Sequence, residues 1–175
     1  FAQREAVTFT GTALIYGTGF NTRTTTRNFT LRLTGQTSAA DINRFVGILQ
    51  EDGQDALLKA IDDQKVGSFA LGPQVGRDVN AVYVNEVDGK TRIRAVFARW
   101  IGFGEIRGGY RSTDYPFSYI EIFVDPRTGK GEGTFIAAAR IRSRDKNGVK
   151  EIEIEDFGTF PGKLMGVQMR GRMGL

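Results

Sequence analysis

Residues 78–100, DVNAVYVNEVDGKTRIRAVFARW, decide the fold. Asp88-Gly89 stands between two runs rich in β-branched residues, the chemistry that a two-residue hairpin turn with positive φ requires. Closing that turn with Val87 opposite Lys90 sets Val84 against Ile93 and Val82 against Ala95 on one apolar face. Tyr83 then meets Arg94, and Asn85 meets Arg92, on the other face. A slip of one residue would turn every apolar side chain outward, so the pattern also fixes the register.

Asn147-Gly148 repeats the device downstream. The pairing it implies sets Arg144 opposite Glu151, Arg142 opposite Glu153 and Arg140 opposite Glu155, with Ile141 opposite Ile154 on the reverse face. The most basic run of the chain is thus neutralised by its own hairpin partner. Each exposed pair contributes only about 0.2–1 kcal/mol, but together they hold register.

Other segments read as strands around these hairpins. VTFTGTALIY (7–16) is β-branched and aromatic, and Gly11 inside it marks a bulge or a close backbone approach. GTGFNTRTTTRN (17–28) reads as a polar loop or a frayed edge, and 29–33 alternates cleanly. Residues 65–71, 117–125, 131–144 and 163–170 follow, with Gly129 suited to a left-handed turn. In 117–125 the aliphatic set faces the core while Tyr119 and Phe123 face the opposite way, so this strand is expected to be covered on both sides.

One helical interlude interrupts the strands. Ser38 with Asp41 resembles a capping box, and Ile42, Phe45, Val46 and Leu49 fall at helical spacing. Asp52-Gly53 stops that helix, and Ala56, Leu57, Leu58 and Ile61 form a second. The expectation is a mainly β (α+β) single domain over 1–175, with 171–175 as a disordered tail. It has a curved antiparallel sheet or barrel-like fold of about eight strands, and one helical-hairpin insert at about 38–63 plugs an end or lies on the concave face. A two-sheet sandwich is the alternative.

Composition narrows the chemistry. The 175 residues include no histidine and no cysteine, which removes imidazole bases, thiolate nucleophiles and ordinary zinc sites. Net charge is +4, but residues 38–64 hold six acids against two bases, so the remainder carries +8. That imbalance suits an anionic partner. A sheet face bearing Tyr83, Arg92, Arg94, Tyr119 and Phe123 faintly resembles a base-stacking platform, but the acidic helices and the missing RNP motif argue against nucleic acid. No apolar run approaches the roughly 20 residues of a membrane-spanning helix. The chain opens Phe-Ala-Gln without Met, and Ala2 before Gln3 suits signal-peptidase cleavage, so export to the periplasm or cell exterior is expected.

The richest stretch for function is WIGFGEIRGGYRSTDYP (100–116). Long loops on β scaffolds commonly carry function, and Trp, Tyr and Arg are enriched at binding hot spots. Three readings compete. The excursion is a plain crossover in which Arg107 pairs with Asp114. Or it is a binding site, with Trp100, Tyr110 and Tyr115 as apolar walls and Arg107 or Arg111 holding an anionic group. Or Glu105 and Asp114 are acid and base of a hydrolase or lyase. GEG (131–133) and GTG (17–19) lack the lysine and following helix of a phosphate loop. Asp52, Asp55, Asp62 and Asp63 read as a solvated helix face, and no metal or other cofactor is expected.

The stretches GQDALLKAI (53–61), IGFGEIR (101–107), RSTDYPF (111–117) and GKGEGT (129–134) resemble a group of exported bacterial proteins of unknown function. The resemblance covers about half the chain, and implies a bacterial, exported origin but no activity and no site residues. The function expected from the residues is non-catalytic binding of an apolar or amphipathic small molecule, or of a protein partner. The ligand's apolar part would be buried in the sheet's concavity at about 25 cal/mol per Å². A carboxylate-dependent enzyme and an envelope interaction protein are the alternatives.

Overall fold

The computed structural model describes residues 6–16, 24–73, 76–98, 116–156 and 162–172. The chain runs β1 (Val7–Ile15), β2 (Thr25–Leu33), α1 (Ala39–Asp52), α2 (Gln54–Ile61), β3 (Gly67–Leu71), β4 (Arg77–Val79) and β5 (Ala81–Val87). It continues through β6 (Lys90–Phe97), β7 (Phe117–Val124), β8 (Lys130–Lys146), β9 (Val149–Asp156) and β10 (Gly162–Arg170). All ten strands belong to one antiparallel sheet, ordered β4-β3-β2-β1-β10-β8-β7-β6-β5, with β9 on β8. A sandwich is therefore excluded.

The sheet is a meander in which the first and last strands pair, Thr8 opposite Arg170 and Leu14 opposite Lys163. Its two ends, β4 and β5, are separated in the chain by Asn80 alone. The ladder therefore does not close into a barrel, yet the sheet curls until its ends meet. The N–H of Asn80 donates to Val96 O at 2.9 Å, and the N–H of Val66 to Val79 O at 2.9 Å. Thr37 closes the remaining edge of β5: its N–H donates to Val82 O (3.2 Å), and its Oγ1 accepts from the Val82 N–H (2.9 Å).

Both hairpins have the expected register. Val84 opposes Ile93 and Tyr83 opposes Arg94. Arg140 opposes Glu155 and Ile141 opposes Ile154. Asp88 (φ 52°), Gly89 (79°), Asn147 (53°) and Gly148 (81°) supply the positive φ angles of the two turns. At Gly11 the β1–β10 register shifts, and a Cβ there would lie 2.7 Å from Met165 O. Helix α1 is capped by Ser38, whose Oγ accepts the Asp41 N–H at 3.1 Å, and Gly53 (φ 87°) ends it.

Two expectations need correction. Thr25–Asn28, which reads as a loop or a frayed edge, is the first half of β2, because its ladder with β1 continues unbroken to Ile15 opposite Thr25. β-branched threonines fit that position however polar they are. Nor does the helical hairpin plug an end or lie in the concavity. Its buried residues, Phe45, Leu49, Leu57 and Ile61, pack on Phe117, Tyr119, Ala139 and Ile141. These belong to the face of β7 and β8 opposite the one that carries Ile120, Ile122 and Phe135 into the main core. The helices cover the outer face, and β7 is buried on both sides as its alternation implied. Gly171, read as the start of the tail, lies against Ala6 and Val7: a Cβ there would be 3.3 Å from Ala6 O. Residues 173–175 lie outside the described residues.

A shift between Phe117 and Tyr119 in the β7–β8 register marks a bulge near Ala137. Before it, Phe135 points inward; after it, Ala139 and Ile141 point outward to the helices. Beyond Ala139, β8 pairs with β9 and projects past the sheet as an arm. From Arg140 to Lys146 that is about 23 Å of strand at roughly 3.3 Å per residue.

Candidate functional site

The strand directions gather the described flanks of four connections at one end of the curled sheet. Ile15 and Thr25, Leu71 and Arg77, Phe97 and Phe117, and Gly162 all lie there by register. Trp100, Glu105, Arg107, Tyr110, Arg111, Asp114 and Tyr115 lie outside the described residues. The excursion that holds them is rooted at this upper end, between Ala98 and Pro116.

Its roots are firmly held. The Ala98 N–H donates to Asn80 Oδ1 at 2.8 Å. Asn80 is buried, and its Nδ2 donates to Gln64 O (2.9 Å) and Asp62 O (3.4 Å). One side chain thereby ties the end of α2, the β4–β5 junction and the foot of the excursion together. On the other root, Phe117 is fully buried and Ser118 Oγ donates to Ala137 O at 2.6 Å, satisfying a hydroxyl that has no access to water.

The concavity expected to receive a ligand is filled by this core. Phe69 of β3 stacks on Phe29 at 5.9 Å and on Phe135 at 6.4 Å, and meets Phe97 edge-on at 5.9 Å. Phe135 belongs to β8 and Phe97 to β6, across the sheet from β3, so the rings span the interior from wall to wall. This corrects the expectation of an open apolar well. A ligand that leaves the core intact must sit above these rings.

At the upper end the inner face changes from apolar to charged. Along β2, Phe29, Leu31 and Leu33 are buried, and Arg27 shares their face. Along β4, Arg77 shares the face of buried Val79. After the bulge the arm turns Arg140, Arg142 and Arg144 to that side with Glu151, Glu153 and Glu155. The sequence does not single out Arg27, because Thr25–Asn28 reads as a loop or frayed edge; the signal is the alternation continuing upstream from Phe29.

The arm's charges match one another in a stagger. Arg140 Nη2 lies 2.6 Å from Glu155 Oε2, Arg142 reaches Glu155 Oε1, and Arg144 Nε lies 2.7 Å from Glu153 Oε2. The hydrogen bond from Arg140, aided by the charges of Arg140 and Arg142, holds the Glu155 carboxyl below its ordinary value of 4.5. Folding thus favours the ionised form. The stabilisation is fully present above that value and is lost as pH falls below it towards the lowered folded value. Arg140→Gln is expected to flatten the acid-side fall of Tm. Parallel Tm–pH curves for the two proteins would contradict this.

On the outer face two of the aromatic side chains are already engaged. Tyr119 is buried, and its hydroxyl donates to Glu121 Oε2 at 2.7 Å. Burial, and then that carboxylate, hold its phenol well above the ordinary tyrosine range. Tyr83 is exposed, but Arg94 lies over its ring at 4.9 Å. Beside β4 a polar hollow of about 270 Å³ is lined by Asp62, Gly76, Arg77, Asp78 and Asn80, with Lys65 on Asp78 at 3.1 Å. Among the described residues no three His, Cys, Asp or Glu side chains are grouped to hold a metal ion, and no helix is long and apolar enough to cross a membrane.

No family model, no curated protein and no solved structure matches the chain.

Proposed function

We propose that the protein is a non-catalytic binding protein that holds an apolar or amphipathic small molecule at the upper end of the curled sheet. Trp100, Tyr110 and Tyr115 supply apolar contact there, and Arg107 or Arg111 a cationic one. The observation that supports this most is the convergence of four connections above a packed interior. Such a rim is where a β scaffold presents variable loops on a rigid base. Export, in line with the resemblance to exported bacterial proteins, belongs to the same reading.

Trp100 is the single tryptophan of the chain, so its emission reports directly on the excursion. Protein purified from its own host is expected to carry a small molecule in a native mass spectrum, and removing that molecule is expected to shift Trp100 emission to the red. A spectrum of bare protein, with emission unchanged by host lipid or metabolite extracts, would falsify the reading. A retained protein chain instead would transfer the site to a partner.

A further inference from the structure

We infer that the outer edge of β9 is a homodimer joint, at which a second copy of this chain lays its own β9 antiparallel and merges the two arms into one sheet. The inference goes beyond the small-molecule reading and does not depend on it. Among the described residues β9 pairs with β8 alone. The Ile141 N–H turns away from β9 and donates to Gln54 Oε1 at 3.2 Å, so Ile141 and Ile154 face each other as a non-hydrogen-bonded pair. By the alternation of an antiparallel ladder, Lys150, Ile152 and Ile154 then direct their backbone N–H and C=O groups outward. The β8–β9 ladder runs without a bulge, and such an edge is a template for another strand. The edge of β5, by contrast, is covered by Thr37.

The sequence of β9 complements itself in one register. With Glu153 on the two-fold axis, Ile152 stands opposite the partner's Ile154, and Lys150 opposite the partner's Asp156, a residue of opposite charge. A shift of two residues sets Lys150 against an isoleucine, and a shift of one sets the apolar face against the charged one. Ile152 shares the face of Ile141 and Ile154, which pack towards the helices, yet is itself 40% exposed. The joint covers it. Glutamates of the two copies meet on the other face, but Arg140, Arg142 and Arg144 already match Glu153 and Glu155 within each arm. The edge of β8 is the poorer template: Gln54 occupies its Ile141 N–H, and self-pairing about Ser143 would set Ile141 against Asp145. A two-stranded ribbon is marginal by itself, and the joint gives each arm a third and fourth strand.

The joint is small, so the association is weak. Sedimentation of the full chain from about 1 µM to about 1 mM is expected to show a monomer–dimer equilibrium and nothing larger, because a two-fold interface closes on itself. Ile152→Lys should weaken dimerisation at least about tenfold, since the symmetry repeats the lost pair. Met165→Lys, at an exposed side chain of β10, should leave it unchanged. The chain has no cysteine, so Glu153→Cys introduces a single thiol on the axis, which should give a disulfide-linked dimer in air. Glu151→Cys, about 13 Å from its counterpart in this register, should link far less. A chain that stays monomeric throughout would overturn the inference. So would dimerisation undiminished in folded Ile152→Lys, equal linking of the two thiols, or assembly beyond the dimer.

Discussion

Phe69→Ala is expected to lower the unfolding free energy by about 3–5 kcal/mol, the range for truncating a buried phenylalanine. The ring is 1% exposed and touches phenylalanines of three other strands, Phe29, Phe97 and Phe135. Those neighbours stand on separate walls of the curled sheet, so backbone collapse into the vacated space is opposed from several sides. For a domain of this size the loss corresponds to a Tm lower by about 6–20 °C. Denaturant unfolding monitored by circular dichroism measures it. A loss under about 1.5 kcal/mol would mean that the interior is not packed across at the Phe69 level, and the open well would return as a possibility.

The second large effect is expected at Gly133. It faces inward between Ile122 and Leu164, and an added Cβ would overlap the Glu121 carbonyl oxygen, which belongs to backbone and cannot swing away. Gly131, two residues earlier on the same face, meets the Phe123 carbonyl in the same way. Gly133→Val therefore forces β7 and β8 apart rather than filling space. We expect a loss of about 3 kcal/mol or more, at the upper end for overpacking. The comparison is Glu132→Val, on the exposed face between them, which should stay within about 1 kcal/mol of the parent. Equal stability of the two variants would show that strand curvature, not glycine, sets this approach.

These glycines explain a motif that chemistry could not. GEG at 131–133 has no phosphate-loop context, and its spacing is that of two inward positions on one strand. Alternation was legible wherever one face is buried and the other wet: the Val82–Ala95 and Arg140–Glu155 pairings both follow from a turn dipeptide and a period of two. The helices were legible through their apolar stripe and the Ser38 cap. Their place on the outer face was not, because a stripe says that it must be covered and not by what. The signal that could have settled it was Tyr119 and Phe117 sharing a face, which required a second layer on β7.

The candidate site was less legible. Arg27 escaped because a threonine-rich run has no apolar alternation to betray a strand, although its ladder with Ala13–Ile15 is regular. Asn80 escaped for a different reason. Its importance lies in three partners, Asp62, Gln64 and Ala98, each at least 16 residues away in sequence. The residues with the strongest compositional signal, Trp100 to Tyr115, lie outside the described residues, so that reading rests on where their roots are placed.

Pairing of the first strand with the last has a consequence for synthesis. As the chain emerges, β1 can zip to β2 at once, but its other edge must wait for Gly162–Arg170, the final ladder to be made. Until then the backbone from Thr8 to Leu14 offers unpaired donors and acceptors to any neighbouring nascent chain. A product halted before residue 162 would carry that open edge permanently and is the form from which aggregation should start.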